Sequence, residues 1–213
     1  MALLLVVLRL AVVGGFAVRA PSRTPIAVFG FREAQRELMD SGAQIELGGD
    51  ALLEEAQAMG FFEANVAMRQ PRGKAGIALK NCGRSIADVG AKFRNKGGIE
   101  LAAYTLDEAS VYCRGAAQAL GQVGAPLAAP CDKLAETLAL ASRGLYANSP
   151  AMTSTALQTA GDDLDVLAAA MASVEEISAT APYLTRAADL LRQGAAALVS
   201  TAAAPAAKKT PWG

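Results

Sequence analysis

The sequence predicts an all-α antiparallel bundle of four to five main helices, with shorter N-terminal helices and extended arms. Apolar residues recur every three or four positions over long stretches, only short Gly- or Pro-containing breaks separate these stretches, and none alternates with a period of two. Of the 213 residues, 53% are hydrophobic but only 5% are aromatic. We therefore expect a core of aliphatic side chains and alanine.

Residues 1–23 are expected to be a targeting leader. Residues 1–18 are apolar except for Arg9, and this stretch is shorter than the roughly 20 residues that span a bilayer. A secretory signal segment fits this length better, with the small residues Gly14 and Gly15 at its end. The alternative is a retained hydrophobic arm that packs on the protein or on a partner.

The residues that follow refine this expectation. Residues 15–23 read GFAVRAPSR, and Glu33 is the first acidic residue of the chain. This acid-free segment with an early Phe resembles the signal-plus-transit leader of algae with complex plastids. The resemblance implies a plastid location. Because no second long apolar segment follows, the stromal side or the thylakoid membrane is favoured over the lumen.

Residues 24–60 are predicted to form an N-terminal arm with short helices. An amphipathic stretch covers 31–40 and is expected to end at Ser41-Gly42. Residues 48–50 mark a second break, after which Asp50 is a suitable N-cap for a helix over 51–59. A further short helix over 61–69 is expected to stop near Pro71.

The bundle itself is assigned to residues 61–202, with a flexible tail at 203–213. Turns are expected at 95–98 and 121–126, Ser149 is expected to cap a helix whose first residue is Pro150, and Ala181-Pro182 is expected to start the last helix. Because these connections are short, neighbouring helices should be antiparallel. The predicted core consists of Leu79, Cys82, Ile86, Val89, Phe93, Leu106, Cys113, Leu120, Leu134, Leu138, Leu145, Leu164, Leu167, Met171, Leu184, Leu191 and Leu198.

All three cysteines fall on these apolar stripes. Cys82 and Cys113 lie at similar distances from the 95–98 turn, so a rise of about 1.5 Å per residue puts them at nearly the same height and makes them the preferred disulfide pair. Cys131 follows Pro130, and in a first helical turn it would be a reactive thiol if exposed. The alternative is that all three are buried thiols. Without histidine or C-x-x-C spacing, no metal site is expected.

Charge is unevenly distributed although the formal net charge is zero. Residues 69–96 contain eight basic residues and one acidic residue, whereas residues 100–200 contain five basic and eleven acidic residues. The basic and acidic helices can pair internally. Alternatively, the basic loop with Arg69, Arg72 and Lys74 can meet an acidic protein face or anionic lipid. Nucleic acid is not an expected partner, because the basic segment lacks interleaved aromatic residues.

The chain contains no histidine, which removes Ser-His-Asp and Cys-His catalysis and histidine-ligated metals. Residues 73–76, GKAG, lack the spacing of a phosphate-binding P-loop. No other catalytic set is evident, so an enzyme is not expected.

We therefore expect a non-catalytic structural or linker subunit of a plastid photosynthetic complex, a photosystem or its antenna. Phe29 and Phe31 in the N-terminal arm can enter a partner groove, and Trp212 with Lys208 and Lys209 offers an aromatic anchor with a basic rim. No cofactor is expected beyond peripheral chlorophyll or carotenoid contact. The bundle is only loosely similar to small photosystem-associated helical subunits. The alternative is a secreted or periplasmic bundle that binds a small apolar ligand.

Overall fold

The computed structural model describes residues 30–59, 63–93 and 98–200. These residues form six α-helices and one short 3-10 helix, and this part of the chain contains no β-strand. The elements are α1 (Gly30–Ala58), α2 (Glu63–Lys92), α3 (Gly98–Val123), α4 (Ala125–Tyr146), α5 (Pro150–Ala172), η1 (Glu175–Thr180) and α6 (Ala181–Ser200). The predicted all-α bundle is confirmed: α2 to α6 correspond to the predicted main helices, and α1 lies where shorter N-terminal helices were expected.

The six helices form a closed ring. Each helix packs against its neighbours in sequence, and α6 returns to pack against α1. Residue contacts between neighbouring helices run in opposite directions along the two helices, so every adjacent pair is antiparallel. An even number of helices allows such a ring to close without a parallel pair.

One apolar cluster, to which all six helices contribute, holds the ring together. All seventeen residues of the predicted core are buried in it. Alanine is its most frequent residue, while the largest fully buried side chains are almost all Leu and Ile. Burial of a leucine or isoleucine side chain contributes about 1.5–3 kcal/mol, so these residues supply much of the apolar driving force.

The N-terminal half of the bundle differs from the prediction. Residues 30–58 are one continuous helix that packs against α2 and α6, so they belong to the bundle and not to an arm. Pro71 lies inside α2, which continues to Lys92. The prediction was wrong because Gly and Pro were taken as helix terminators. In this structure, tertiary packing outweighs their weak intrinsic helix propensity.

The glycines of α1 and α2 allow the two backbones to touch. Gly42 and Gly49 are seven residues apart in α1, and Gly76, Gly83 and Gly90 repeat with the same spacing in α2. A methyl group added at Gly83 would lie 2.5 Å from the backbone nitrogen of Glu46 and from the carbonyl oxygen of Gly42. These five residues, the glycine seam, therefore leave no room for a side chain.

Buried hydroxyl groups fix the register of several other helix pairs. Ser41 Oγ donates a hydrogen bond to the Ala187 carbonyl oxygen across α1 and α6, at 2.9 Å. Ser142 Oγ donates to Ala103 O across α4 and α3 at 2.8 Å. Each bond satisfies a hydroxyl that would be costly to bury unpaired.

The turns follow local backbone chemistry. Ser149 caps α5 by accepting a hydrogen bond from the Met152 backbone nitrogen, and Pro150 follows as the first helical residue, as predicted. Asn148, with φ at 51°, allows the sharp reversal after α4. Between α3 and α4 the turn is shorter than predicted, because only Gly124 is outside a helix. Of the predicted 95–98 turn, residues 95–97 lie outside the described part.

The glycine seam generates the first testable prediction. Gly83→Ala should lower the free energy of unfolding by about 1–3 kcal/mol, because the new methyl group meets backbone atoms that can move only if the helices separate. Gly73→Ala is the matched control, since nothing lies within 4 Å of a methyl group there. The control should be neutral or gain up to about 1 kcal/mol of helix propensity. Urea unfolding of both variants checks this, and equal stabilities would refute the seam.

Candidate functional sites

Three neighbouring helices bring the cysteines together in the core. Cys82 of α2, Cys113 of α3 and Cys131 of α4 are all fully buried. The Cys82 and Cys113 sulfur atoms are 2.9 Å apart, and Cys131 Sγ donates to the Cys113 carbonyl oxygen at 3.3 Å. The equal heights inferred from the sequence therefore correspond to direct contact, and all three residues are free thiols in this structure.

The environment of Cys113 makes it a poor nucleophile. Hydrogen bonds with the Cys131 and Cys82 thiols, together with burial, raise the pKa of Cys113 well above that of an ordinary thiol. A higher pKa lowers the thiolate fraction, and the thiolate is the reactive form.

The predicted first-turn position of Cys131 was wrong, and the exposure that a reactive thiol would require is absent. Because α4 begins at Ala125 with Pro126 in its first turn, Cys131 lies in the second turn. There its side chain faces α3 and is fully buried. Cys131 thus meets neither condition for a reactive thiol, because it lies outside the first helical turn and is buried.

The three residues of the predicted basic contact surface differ in their exposure. Lys74 is exposed and Arg69 is half-buried, but Arg72 is only 4% exposed. Arg72 precedes the buried Ala75 and Leu79 by three and seven residues, so it shares their inward face. Its assignment to a partner-binding surface was therefore wrong.

Arg72 takes part in a polar cluster where α1, α2 and η1 meet. Its Nη1 donates to Met59 Sδ at 3.3 Å, and its Nη2 lies 4.0 Å from Glu176 Oε2. Burial raises the pKa of the nearby Glu55 carboxyl, while a backbone hydrogen bond from Ala179 and the Arg72 charge oppose this shift. Among the described residues, Arg72 Nε, Glu55 Oε2 and Thr180 Oγ1 have no hydrogen-bond partner.

The remaining predicted contact residues lie elsewhere. Phe31 is half-buried, with its ring centroid 4.9 Å from that of Phe93, so it packs against the core and is not a projecting anchor. Phe29, Lys208, Lys209 and Trp212 fall outside the described residues, as does the leader.

Two basic residues of α2 pair with acids of α1. Lys80 Nζ contacts Asp50 Oδ1 at 2.6 Å, and Arg84 Nε contacts Glu46 Oε1 at 2.8 Å. At the α5–α6 interface, Arg192 similarly binds carboxylates of both helices. Basic and acidic helices therefore pair within the protein at these residues. The acids that pair with α2 lie on α1, however, and not on the acidic helices after residue 100.

The outer face of α3 is different, and it was not predicted from the sequence. Leu101, Tyr104 and Val111 are 52%, 55% and 62% exposed. Their spacing of three and seven residues aligns them on one side of the helix, over about 15 Å. We refer to these three side chains as the outer row. A signal for it was present in the sequence, because the buried stripe of α3 leaves these apolar residues on the opposite side.

Three carboxylates flank the outer row. Asp107 follows Ala103 by one turn on the side facing α4, and Glu100 lies seven residues before Asp107 on that same side. Glu108 is on the other side, three residues after Thr105, which accepts a hydrogen bond from Lys92 of α2. Within the described ranges, none of the three forms an ion pair, unlike the acids of the α1–α2 and α5–α6 interfaces.

Comparisons with known proteins give no assignment: no family model, curated protein or solved structure matches the chain. The described residues contain no group of three or more His, Cys, Asp or Glu side chains placed to hold a metal ion. In the same residues, no helix combines the length and apolar character needed to cross a bilayer.

The burial of the three cysteines predicts that their thiols are unreactive in the folded protein. In the folded protein, all three cysteines should resist an alkylating reagent under conditions that fully label the unfolded chain, because they are buried and Cys113 carries little thiolate. Rapid labelling of the folded protein would contradict the burial.

Thiol counting on the unfolded, non-reduced chain also tests the preferred disulfide. Labelling of Cys131 alone would establish the Cys82–Cys113 bond, and the Cys131→Ser variant should then show no free thiol. Three labelled cysteines would refute that bond and support the buried-thiol alternative.

The raised pKa of Glu55 predicts a component of the pH dependence of stability. The native state favours the protonated carboxyl, so its contribution is present below the ordinary value of 4.5 and lost as pH rises through the raised native pKa. Glu55→Gln stays neutral at every pH. The wild-type free energy of unfolding should therefore fall relative to that of Glu55→Gln as pH rises from about 4 through the raised native pKa.

Urea unfolding across that pH range measures this difference. Glu54→Gln is the matched control, because Glu54 is exposed and forms no ion pair with any described residue. A constant difference between wild type and Glu55→Gln would contradict the assigned pKa direction.

Proposed function

We propose that this protein is a non-catalytic structural subunit that docks on partner proteins of a larger complex. The observation that carries the proposal is the outer row of α3, where Leu101, Tyr104 and Val111 are more than half exposed on one side of a helix. Exposed apolar side chains that align on one side of a helix are typical of a surface that another protein covers. Its aromatic member belongs to a residue type enriched at interfaces.

The rigidity of the ring supports a scaffolding role. Each helix is held by two neighbours, and buried hydrogen bonds fix the register of pairs on both sides of α3 and of α6. An outer helix held in this way can present its side chains without large rearrangement, which reduces the ordering cost of binding.

The proposed setting is a plastid photosynthetic complex, on the stromal side or at the thylakoid membrane. It depends on the leader, whose acid-free sequence with an early Phe resembles the leaders of complex-plastid algae. Contact with anionic lipid through Arg69 and Lys74, and pigment contact through the complex, remain parts of this proposal.

Gentle detergent extraction of the source cells and density-gradient separation test the proposed function. The tagged full-length chain should migrate with a chlorophyll-containing band. A triple variant, Leu101→Gln, Tyr104→Gln and Val111→Gln, should move to fractions of the free protein, because polar side chains on the outer row remove the apolar contact.

Three exposed apolar residues elsewhere supply the control. Leu47→Gln, Met152→Gln and Val166→Gln change side chains of α1 and α5 with comparable exposure, and this triple variant should still co-migrate with the complex. Migration of the unaltered protein as a free particle would overturn the proposal. Equal displacement of both triple variants would remove the outer row as its basis.

A further inference from the structure

The short helix η1 connects α5 to α6 and packs against α1 at one end of the ring. We propose that η1 is a cap that opens while the six α-helices stay folded, and that its opening exposes the guanidinium of Arg72. The cap then controls whether an anionic group from outside can reach Arg72. It is independent of the outer row and of the docking proposed above.

The closed position of η1 leaves polar atoms without hydrogen bonds. In residues 30–59, 63–93 and 98–200, the buried side-chain atoms that lack a partner are Arg72 Nε, Glu55 Oε2 and Thr180 Oγ1. Arg72 lies beside Glu176 of η1. Thr180 ends η1 and follows Ala179, whose backbone nitrogen bonds to the Glu55 carboxyl. All three atoms therefore belong to the contact between η1 and the ring.

These atoms favour the open position of the cap. A buried donor or acceptor without a partner has lost its hydrogen bonds to water and gained none in return. When η1 moves away, water can reach all three atoms again. The closed cap is therefore less stable than a fully paired contact of the same size would be.

Few interactions hold η1 against the ring. Its buried residues are Ile177 and Thr180, and of these two only Ile177 is apolar. Glu176 is 64% exposed and lies 4.0 Å from Arg72, so this ion pair contributes little. The Ser178 hydroxyl donates within η1 itself. A 3-10 helix also has poorer backbone hydrogen-bond geometry than an α-helix, so η1 is a weak element by its own conformation.

The ring does not need η1 to stay closed. α6 packs directly against both α1 and α5. Ser41 donates a hydrogen bond from α1 to Ala187 of α6, and Ser154 donates from α5 to Ala195 of α6. Local opening is typical of segments with few buried apolar contacts, while well-packed helices open only with the whole domain.

Opening changes the charge that this end of the ring presents. With the cap closed, Glu175 and Glu176 are exposed, while Arg72 is only 4% exposed. With the cap open, the side of Arg72 that faces Glu176 becomes accessible. Because arginine stays charged at every physiological pH, η1 masks a permanent cation. An anionic group can therefore pair with Arg72 only in the open state.

Native-state hydrogen exchange of the full-length chain tests the cap. The Ile177 amide donates to the Val174 carbonyl oxygen at 3.0 Å, so its exchange requires opening of η1. Its rate should change little in low urea, because opening of η1 exposes little surface. Amides of Ile86 and Leu106 in the core helices should exchange more slowly and with a steep dependence on urea. The same steep dependence for Ile177 would overturn the proposal.

Thr180→Val tests the contribution of the unpartnered hydroxyl. Valine keeps the shape of threonine and buries no polar atom, so the closed cap should gain stability. The Ile177 amide should then exchange about three- to tenfold more slowly than in the wild type. Equal exchange rates in the two proteins would refute the contribution assigned to Thr180.

Thr153→Val is the matched control. Thr153 is also fully buried, but its hydroxyl donates to the Ser149 carbonyl oxygen at 3.0 Å. This variant should leave the exchange of Ile177 unchanged. Slower exchange of Ile177 in both valine variants would contradict the proposal, because the effect would not come from an unpartnered hydroxyl.

Modification of arginine by phenylglyoxal, located by mass spectrometry, tests the exposure of Arg72. Arg84 has an exposed side chain and should react at once. Arg72 should react slowly, with the weak urea dependence expected for Ile177, and still more slowly in Thr180→Val. Reaction of Arg72 only under conditions that unfold the ring would refute the masking of Arg72 by η1.

Discussion

The backbone contact between α1 and α2 is the constraint on which the rest of the ring depends. At the glycine seam, a single added methyl group at Gly83 would approach backbone atoms of α1 at 2.5 Å. This closeness brings the acidic edge of α1 next to the basic edge of α2, so that Glu46 and Asp50 meet Arg84 and Lys80. It also sets the orientation of α1, whose other side must accept α6 through Ser41 and Gly48 for the ring to close.

Different interactions fix the register at different interfaces around the ring. The α2–α3 pair has the Cys82–Cys113 contact, and hydroxyl groups from Ser142 and Ser154 donate across α3–α4 and α5–α6. Between α4 and α5, Thr137 donates to Asp163. An alanine-rich core alone would tolerate sliding of one helix along another, because many of its side chains are alike. Sparse polar and sulfur contacts specify one alignment, since each leaves a buried group unsatisfied in any other.

Charged residues of the ring fall into two groups, those that form ion pairs between helices and those that do not. Lys80 and Arg84 of α2 pair with Asp50 and Glu46 of α1 at one interface, and Arg192 pairs with carboxylates of α5 and α6 at another. The acids of α3 have no such role among the described residues, and they flank apolar side chains that the core does not use. Arg72 differs from both groups. It belongs to a basic segment of the sequence, but it lies on the inward face of α2 and is therefore buried.

The helical class, the predicted core positions and several boundaries followed from local sequence patterns alone. Every core position predicted from the apolar period of three to four residues, from Leu79 to Leu198, is buried, and Ser149-Pro150 marked the start of α5. The equal heights of Cys82 and Cys113 also followed from counting residues. These features are local or depend on helical geometry alone.

Tertiary structure decided whether Gly42, Gly49 and Pro71 end a helix or lie within one, because packing against a neighbouring helix outweighs the low helix propensity of Gly and Pro. It likewise decided that Cys131 and Arg72 are buried and that the outer row of α3 is exposed, since ring closure assigns each helix face to a neighbour, the core or the surface.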